Sequence, residues 1–182
     1  MVELNALYEL AQEFIDTLAE VYAEHSTSPD VEPIPFVDSQ FIMVGSAGSM
    51  PAYKQCGQLT SYIGLPYSGL LNQGDAVTCG TPVSAGFTLE LLRCSPQPPT
   101  STKGFMITQK FRDQLELSEK HQANDVLLMR ETALRFLDTN GASTNQKNNA
   151  NVSVGQIEGL YKAITVSVTI PLLKKNRELH IG

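Results

Sequence analysis

The sequence predicts an α+β domain in which two main helices pack on a mostly antiparallel sheet of about four strands. Two segments with apolar residues three and four positions apart indicate amphipathic helices. Between and after them, short apolar or alternating runs bounded by glycine and proline clusters indicate strands. The resulting order, α-β-β-β-α-β, is typical of an antiparallel sheet with helices packed on it.

Length and composition fit a single domain over residues 1–182, with 42% hydrophobic residues and enough chain to bury a core. We expect an N-terminal helix at 2–25, a core of sheet and helix at 36–172, and a basic tail at 173–182. A net charge of −6 argues against broad nucleic-acid binding, which needs clustered Lys and Arg. Three cysteines without a CxxC pair or a nearby histidine pair predict no zinc site.

Membrane insertion and secretion are not expected. No apolar run approaches the roughly 18 residues that a membrane-spanning helix needs. The N-terminal stretch MVELNALYEL is acidic, whereas a signal peptide begins with a basic region followed by an apolar one. The sequence therefore predicts a protein without membrane contact, made in the cytoplasm, which leaves the cell only within a larger particle.

The first predicted helix places an apolar stripe along one side and acidic residues along the other. The stripe consists of Leu4, Leu7, Ala11, Phe14, Ile15, Leu18 and Tyr22. The acidic residues are Glu3, Glu9, Glu13, Asp16 and Glu20. Calcium loops space their ligands every second residue around a glycine, so we expect this acidic side to be solvated or to face a basic partner.

The first strand is predicted at Phe41–Val44, a short apolar run that we expect to be buried. It leads into GSAGS at residues 45–49, which matches neither a nucleophile elbow nor a phosphate loop. The elbow needs GxSxG, and the phosphate loop needs Lys-Ser or Lys-Thr after its last glycine, where this chain has Met50 and Pro51. We therefore expect a flexible connecting loop.

Two further strands, at 57–67 and 86–94, are predicted to pair antiparallel across a long glycine-rich connection. The expected register puts the odd-numbered apolar residues of both strands on one face. It pairs Leu59 with Leu91 and Ile63 with Phe87.

The same register sets Cys56 opposite Cys94 at the outer end of the hairpin. Because cytoplasmic thiols stay reduced, two interpretations remain open: a pair of small apolar thiols in contact, or a disulfide that forms after release. Cys56 as a nucleophile paired with a histidine is a third, although no local cysteine-protease motif surrounds it. Cys79 is expected to be unpaired.

The second helix is predicted within SEKHQANDVLLMRETALRFLDTNG. Ser118 fits an N-cap with Glu119 in the first turn, and Asn140-Gly141 supplies the stop. An earlier start, near Thr108, is left open by the sequence. The residues at helical spacing are Ala123, Val126, Leu127, Arg130, Ala133, Leu134 and Leu137.

The polar stretch from Gly141 to Gly155 is predicted to be a mobile, exposed loop. A final strand is predicted from Ile157 to Leu172 because apolar and polar residues alternate along it. One face carries Leu160, Ile164, Val166, Val168 and Ile170, and the other Tyr161, Thr165, Ser167 and Thr169. The basic tail contains Lys174, Lys175 and Arg177, which are either solvated or reach an acidic helix of a neighbouring subunit.

Four stretches in this order resemble the tail terminator (head-to-tail connector) proteins of long-tailed phages, particularly those of actinobacteria. They are AYKQCGQLTSYIGLPYSG, SAGFTLELLRCSPQPP, ANDVLLMRETALRFLD and VGQIEGLYKAITVSVTIPL. The similar elements are a Cys-Gly-Gln-Leu strand start, a strand ending in Leu-Arg-Cys-x-Pro, a helix with an internal Asp at Asp125, and a terminal strand introduced by glycine. The chain departs from the family at Tyr53, Lys54 and Gln55, where an aromatic residue and an Asp are usual.

The resemblance implies a structural virion protein that forms a ring, a homohexamer, at the head-proximal end of the tail tube. Its partners would be further copies of itself, the tail tube protein and the stopper or connector on the capsid side. DNA would pass through an acidic lumen without specific binding. No enzymatic activity, cofactor or metal is implied.

Partner contacts are expected in three loops and in the basic tail. The candidate residues are Gly45, Gly48, Met50, Leu70, Leu71, Asn72, Asn145, Lys147, Lys174, Lys175 and Arg177.

Other functions compete with this interpretation. The chain could be a different neck component, such as a stopper or adaptor, or a minor tail protein, which would bind a different partner. A small hydrolase would use Cys56 or Ser49 as its nucleophile. A binding module of the bacterial host would be monomeric and expressed without phage genes.

Overall fold

The structure, a computed structural model, describes residues 4–26, 37, 39–45, 56–64, 67–68, 83–98, 100–101, 104–105, 107–148, 150–157 and 161–172. The helices are α1 (Leu4–Ser26), α2 (Gln109–Thr139) and α3 (Thr144–Asn148). The strands are β1 (Ser39–Val44), β2 (Gln58–Ile63), β3 (Tyr67–Ser68), β4 (Val83–Cys94), β5 (Thr100–Ser101), β6 (Gly104–Phe105), β7 (Asn151–Ile157) and β8 (Tyr161–Pro171).

The predicted α+β class is confirmed, and the main sheet has six strands among the described residues, whereas about four were expected. Its strand order is β1-β2-β4-β8-β7, and the short β3 pairs with β4 beside this path. The β2-β4, β4-β8 and β7-β8 pairs are antiparallel, whereas β1 runs parallel to β2. The sheet is therefore mixed, with its single parallel pair at one edge.

The predicted hairpin register is confirmed. Leu59 lies opposite Leu91 and Ile63 opposite Phe87, and all four side chains are buried. The odd-numbered residues of β2 and β4 face the helices, because a shift of one residue would turn every apolar side chain to the other side. β8 continues this face with Ile164, Val166, Val168 and Ile170, which the sequence also predicted.

The prediction of a strand at Phe41–Val44 is confirmed, but the prediction that this strand is buried is wrong. β1 is an edge strand, and Phe41 and Val44 keep 48% and 50% of their surface exposed. A run of four apolar residues is equally compatible with the middle or the edge of a sheet, since burial depends on neighbours that lie elsewhere in the chain.

Both long helices lie on one face of the sheet and enclose the core with it. α1 contacts β2, β4 and β1, and α2 contacts β8 and β7, so the two helices divide the sheet between them. Phe14 of α1 stacks on Phe136 of α2 with ring centroids 4.3 Å apart, and Phe87 meets Phe136 edge to face at 6.0 Å. These rings join the two helices to the central strand.

The second helix begins earlier than its proposed N-cap at Ser118. Thr108 is the N-cap, and its side chain accepts a hydrogen bond from the Phe111 N–H at 3.2 Å. The predicted end is confirmed, because Asn140 caps the helix and Gly141 follows with φ 67°.

The buried side of α2 differs from the predicted stripe. Leu127 is 64% exposed and Arg130 is also exposed, whereas Ala133 and Leu137 are buried as expected. The buried residues are Asp125, Leu128, Met129, Thr132, Ala133, Phe136 and Leu137. The buried side includes the charged residue Asp125, which the spacing of apolar residues alone does not indicate.

The stretch predicted as a mobile loop contains regular structure. α3 and β7 lie within it, and β7 pairs along its whole length with β8. The predicted final strand is thus two elements, since Ile157 ends β7 and Tyr161 begins β8. Valines at every second position, Val152 and Val154, were the signal for β7, but the surrounding asparagines and serines obscured it.

The face of the sheet away from the helices is polar and internally hydrogen bonded. Tyr62 donates its hydroxyl to Glu90 at 3.1 Å, and both residues are buried. Farther along, the hydroxyls of Thr88 and Ser167 are 2.8 Å apart, and those of Ser153 and Thr165 are 2.6 Å apart. Cross-strand hydroxyl pairs of this kind support the ladder without adding apolar surface.

Candidate functional site

Three polar side chains from three elements meet where α1, α2 and the end of β4 converge. Asp125 of α2 is completely buried and accepts two hydrogen bonds from Arg93, at 2.9 Å from Nε and 3.0 Å from Nη2. Tyr22 of α1 donates its hydroxyl to the same carboxylate. The fork-like pairing of guanidinium with carboxylate is the strongest geometry available to a buried ion pair. We call these three residues the Asp125 cluster.

The electrostatics of the Asp125 cluster oppose proton transfer at neutral pH. Burial, and next the negative charge of Asp125, raises the pKa of the Tyr22 hydroxyl well above its usual value. Burial disfavours the charge of Arg93, but hydrogen bonds to Asp125 and its charge outweigh this and raise the pKa of Arg93. A general acid or base needs a pKa near the working pH, and both groups are displaced away from it. The Asp125 cluster is therefore suited to holding α1, α2 and β4 together and not to transferring protons.

A second charged group lies on the solvent side of the seam between the two helices. Arg135 of α2 binds both carboxylate oxygens of Glu24 at 2.7 and 2.6 Å and also contacts Glu131. His25 lies 3.0 Å from Glu131. The hydrogen bond to His25, and next that to Arg135, lowers the pKa of Glu131. Because all four groups are at least one-third exposed, solvent screens this network and its stabilisation is modest.

A groove of about 550 Å³ opens between the first half of α2 and the adjoining ends of β4 and β8. Arg93, His121 and Gln122 are among its lining residues, as are Cys94 and Lys162. Lys162 pairs with Glu119, and Arg93 with Asp125, so the two cations of the lining are already neutralised. The carbonyl oxygen of the Gln122 side chain is buried without a hydrogen-bond partner. The charged side chains of the groove are therefore paired within the protein.

Cys56 and Cys94 are joined by a disulfide in the structure, with Cα atoms 5.2 Å apart. Both residues are exposed, and the bridge ties the start of β2 to the end of β4. Nucleophilic catalysis needs a free thiolate, and the sulfur of Cys56 is bonded to another sulfur. In this state the chain does not offer Cys56 as the nucleophile of a hydrolase. The second suggested nucleophile, Ser49, lies outside the described residues.

The two edges of the main sheet are uncharged and partly apolar. β1 has the sequence SQFIMV and β7 the sequence NVSVGQI. Phe41 and Val44 of β1 are each about half exposed, and Val154 of β7 is 51% exposed. Among the described residues, no strand pairs with the outer side of either edge. Proteins usually protect such edges with Lys, Pro or a bulge, and neither strand carries Lys or Pro.

Few of the predicted partner-contact residues can be placed. Gly45 is exposed with φ 141°, and its N–H donates to the Ile63 carbonyl at 3.0 Å, so it ends the β1-β2 ladder. Asn145 is exposed on α3, where Lys147 pairs with Asp138. The remaining candidates lie outside the described residues: Gly48, Met50, Leu70, Leu71, Asn72, Lys174, Lys175 and Arg177.

The described part of the chain contains neither a metal-binding cluster nor a membrane-spanning helix. Within it, no group of three or more His, Cys, Asp or Glu side chains is arranged to hold a metal ion. None of the helices described above combines the length and the apolar character needed to cross a membrane.

The sequence analysis identified Asp125 and the two cysteines but missed the residues that complete the Asp125 cluster. Tyr22 was assigned to the apolar stripe of α1, and Arg93 was noted only as part of a strand-ending motif. Arg93 follows Phe87, Leu89 and Leu91 on the apolar face of its strand, and this lone Arg was the available signal, since a buried cation needs a carboxylate. The sequence could not show which of the 19 acidic residues supplies it.

In comparisons with known proteins, no protein-family model and no curated protein matches this chain.

Proposed function

We propose that this chain is a structural virion protein that assembles with copies of itself into a ring at the head-proximal end of a phage tail tube. The observation that carries the proposal is the pair of sheet edges, β1 and β7, whose outer sides no described strand covers. An uncharged edge strand with half-exposed Phe41 and Val44 is a surface that pairs readily with another protein strand. A ring gives every subunit two neighbours and so covers both edges.

The residues that carry the family resemblance support this proposal through the fold. Arg93 and Cys94 belong to the Leu-Arg-Cys motif, and Asp125 is the internal Asp of the second helix. In the structure they form the buried ion pair and one end of the disulfide. Residues with this role stabilise a scaffold, as a subunit of a mechanical assembly requires.

In the proposed assembly the ring ends tube growth and presents its other side to the stopper or connector of the head. The protein is made in the host cytoplasm and becomes part of the virion. The net charge of −6 suits a lumen through which DNA moves without adhering. The proposed role involves no catalysis and no cofactor.

The first test is the mass of the purified protein by light scattering at several concentrations, with negative-stain images of the same samples. We expect closed rings of six subunits, or a monomer that forms rings only on tail tubes from the phage that carries the gene. A chain that stays monomeric at every concentration and ignores those tubes contradicts the proposal.

A second assay separates a terminator from another neck component. The protein is mixed with polymerising tail tube protein, and tube lengths are measured with and without it. A terminator shortens the tubes and appears at one end, whereas a stopper leaves tube growth unchanged and binds portal complexes.

A further inference from the structure

We infer that β1 of one subunit pairs antiparallel with β7 of the next copy, so that the sheets of neighbouring subunits join into one continuous sheet around the ring. The inference rests on the proposed self-assembly and specifies its contact. In this arrangement each subunit uses β1 to bind one neighbour and β7 to bind the other, so that every contact in the ring is a β1-β7 pair.

Strand direction favours this junction. β1 and β2 run parallel, and every later step in the order β1-β2-β4-β8-β7 reverses direction. β7 therefore runs opposite to β1 within one subunit. Rotation about a ring axis brings the next subunit alongside without turning its sheet over, so the incoming β7 is antiparallel to β1. The antiparallel ladder is the more stable of the two pairings per residue.

The exposed apolar side chains of the two edges lie on the same side of the sheet. The ladder pairs Val44 with Ile63 and Val154 with Ile164, and both isoleucines face the helices within the core. Val44 and Val154 are therefore half-exposed continuations of the apolar face, one at each edge. In the continuous sheet both valines lie at the junction on the side of the helix layer, where each loses its contact with water.

The two edges also match in length and charge. β1 has six residues and β7 has seven, and neither contains Lys, Arg, Asp or Glu, although 18% of the chain is charged. Pairing them therefore buries no unpaired charge. Each strand supplies the backbone N–H and C=O groups that the other lacks on its outer side.

Symmetric pairing of like edges is the alternative. A two-fold contact between two β1 strands leaves both β7 edges uncovered, with Val154 still half exposed. A contact between two β7 strands leaves Phe41 and Val44 uncovered in the same way. The β1-β7 junction covers both edges with one contact, and repeated head to tail it closes into a ring.

The size of the junction explains why closure matters. Six paired residues span about 20 Å, and a sheet with its helix layer is about 20 Å thick, which gives a face of about 400 Å² on each partner. The total of about 800 Å² is below the roughly 1,200 Å² of a stable pairwise interface. A single junction is thus weak, whereas each subunit of a closed ring makes two.

Three matched lysine variants test the inference. Val44→Lys charges the β1 edge, Val154→Lys charges the β7 edge, and Leu127→Lys places the same charge at an exposed aliphatic residue of α2. Circular dichroism and thermal melting confirm that each variant is folded. Self-association is then measured by sedimentation and by chemical cross-linking at the concentration at which the wild type assembles, with tail tubes present if assembly requires them.

We expect each edge variant alone to associate at least about tenfold more weakly than the wild type, and Leu127→Lys to associate normally. An equal mixture of Val44→Lys and Val154→Lys should give cross-linked dimers containing one copy of each. In that mixture the intact β7 of Val44→Lys pairs with the intact β1 of Val154→Lys. This mixed dimer cannot add further subunits, because both of its outer edges carry a lysine.

The contrary outcomes separate the inference from the proposed function. Edge variants that still form rings, a mixture without mixed dimers, or like-with-like dimers of Val154→Lys alone overturn the junction and leave ring assembly standing. Rings that depend on both edges but never cap tail tubes support the junction and overturn the terminator role. A wild-type chain that never associates overturns both.

Discussion

The Asp125 cluster and the β1 edge reverse the usual distribution of residues between the inside and the surface of a protein. Asp125 is completely buried and charged, with Arg93 and Tyr22 packed around it. Phe41 and Val44 of β1 are apolar and about half exposed. The charged site has partners for its polar atoms, whereas the apolar site still has surface in contact with water.

The difference shows which of the two regions the isolated subunit needs. A buried ion pair with one partner removed leaves an uncompensated charge in the core, so the cluster is indispensable to the fold. A half-exposed valine at a sheet edge contributes little to the fold. The cluster serves stability, and the edge is available for assembly.

The largest expected effect comes from Asp125→Ala, which leaves Arg93 buried without its carboxylate. We expect the free energy of unfolding to fall by about 3–5 kcal/mol, measured by urea titration. Asp138→Ala is the matched control, because that aspartate is 62% exposed and pairs with Lys147 at the surface. Its loss should cost less than about 1 kcal/mol. If Asp125→Ala and Asp138→Ala lowered the free energy of unfolding equally, the Asp125 cluster would stabilise the fold no more than a surface ion pair does.

Loss of the disulfide should rank second. The bridge closes a loop with a sequence separation of 38, and constraint of the unfolded chain stabilises the oxidised protein by about 2–4 kcal/mol. We expect Cys56→Ser and Cys94→Ser to lower the melting temperature, and a reducing agent to lower the melting temperature of the wild type but not that of these two variants. Cys79→Ser is the control and should keep the sensitivity to reductant. A wild type unaffected by reductant would show that the thiols are not bonded in solution.

Alkaline titration probes the buried tyrosine of the Asp125 cluster. Burial, then the charge of Asp125, raises the pKa of Tyr22 above its ordinary value of 10.0, so the folded state keeps a proton that the unfolded chain releases. The contribution of Tyr22 to the free energy of unfolding is therefore complete below about pH 10, the pKa of the unfolded chain. Above that pH it falls, by up to about 1.4 kcal/mol for each pH unit, until the pH reaches the pKa of the folded state. Urea titrations from about pH 8 to about pH 11 should show this slope reduced in Tyr22→Phe. If Tyr22→Phe kept the same dependence of the free energy of unfolding on pH, a group other than Tyr22 would be responsible for it.

The smallest expected effect on stability comes from a substitution in the edge strand β1. The neighbouring residue in β2 provides a matched control. Val44 lies beside Ile63, and the two side chains are 50% and 1% exposed. Val44→Ala should lower the free energy of unfolding by less than about 0.5 kcal/mol, and Ile63→Val by about 1 kcal/mol. The larger deletion is thus predicted to have the smaller effect, as chemical unfolding of both variants will show. The reverse order would mean that β1 belongs to the core.

The sequence predicted the parts of the fold that depend on local periodicity. The register of β2 and β4 agrees with the alternation of Leu59, Ile63, Phe87 and Leu91, because a slip of one residue would turn the apolar residues of one strand to the other face. The apolar stripe of α1 and the stop at Gly141 were also correct, since helical spacing and a left-handed cap are local features.

The parts that depend on distant neighbours could not be predicted. The burial of β1 is set by its place at the end of the strand order, which its own residues do not encode. The burial of Asp125 likewise depends on Arg93, which lies 32 residues earlier in the chain and binds its carboxylate. Partners separated by such distances in sequence leave no periodic signal, and they define the candidate site.

The length of α2 has a consequence for motion. None of residues 109–124 is buried, so about 24 Å of helix extends before Asp125, the first residue fixed in the core. Its contacts include the Thr108 cap, the Glu116–Lys120 pair and an ion pair of Glu119 with Lys162 of β8. Helices of this length are marginal in water without tertiary packing. Its amides should therefore exchange with solvent hydrogen far sooner than those beyond Asp125, so that one helix contains a slow half and a fast half.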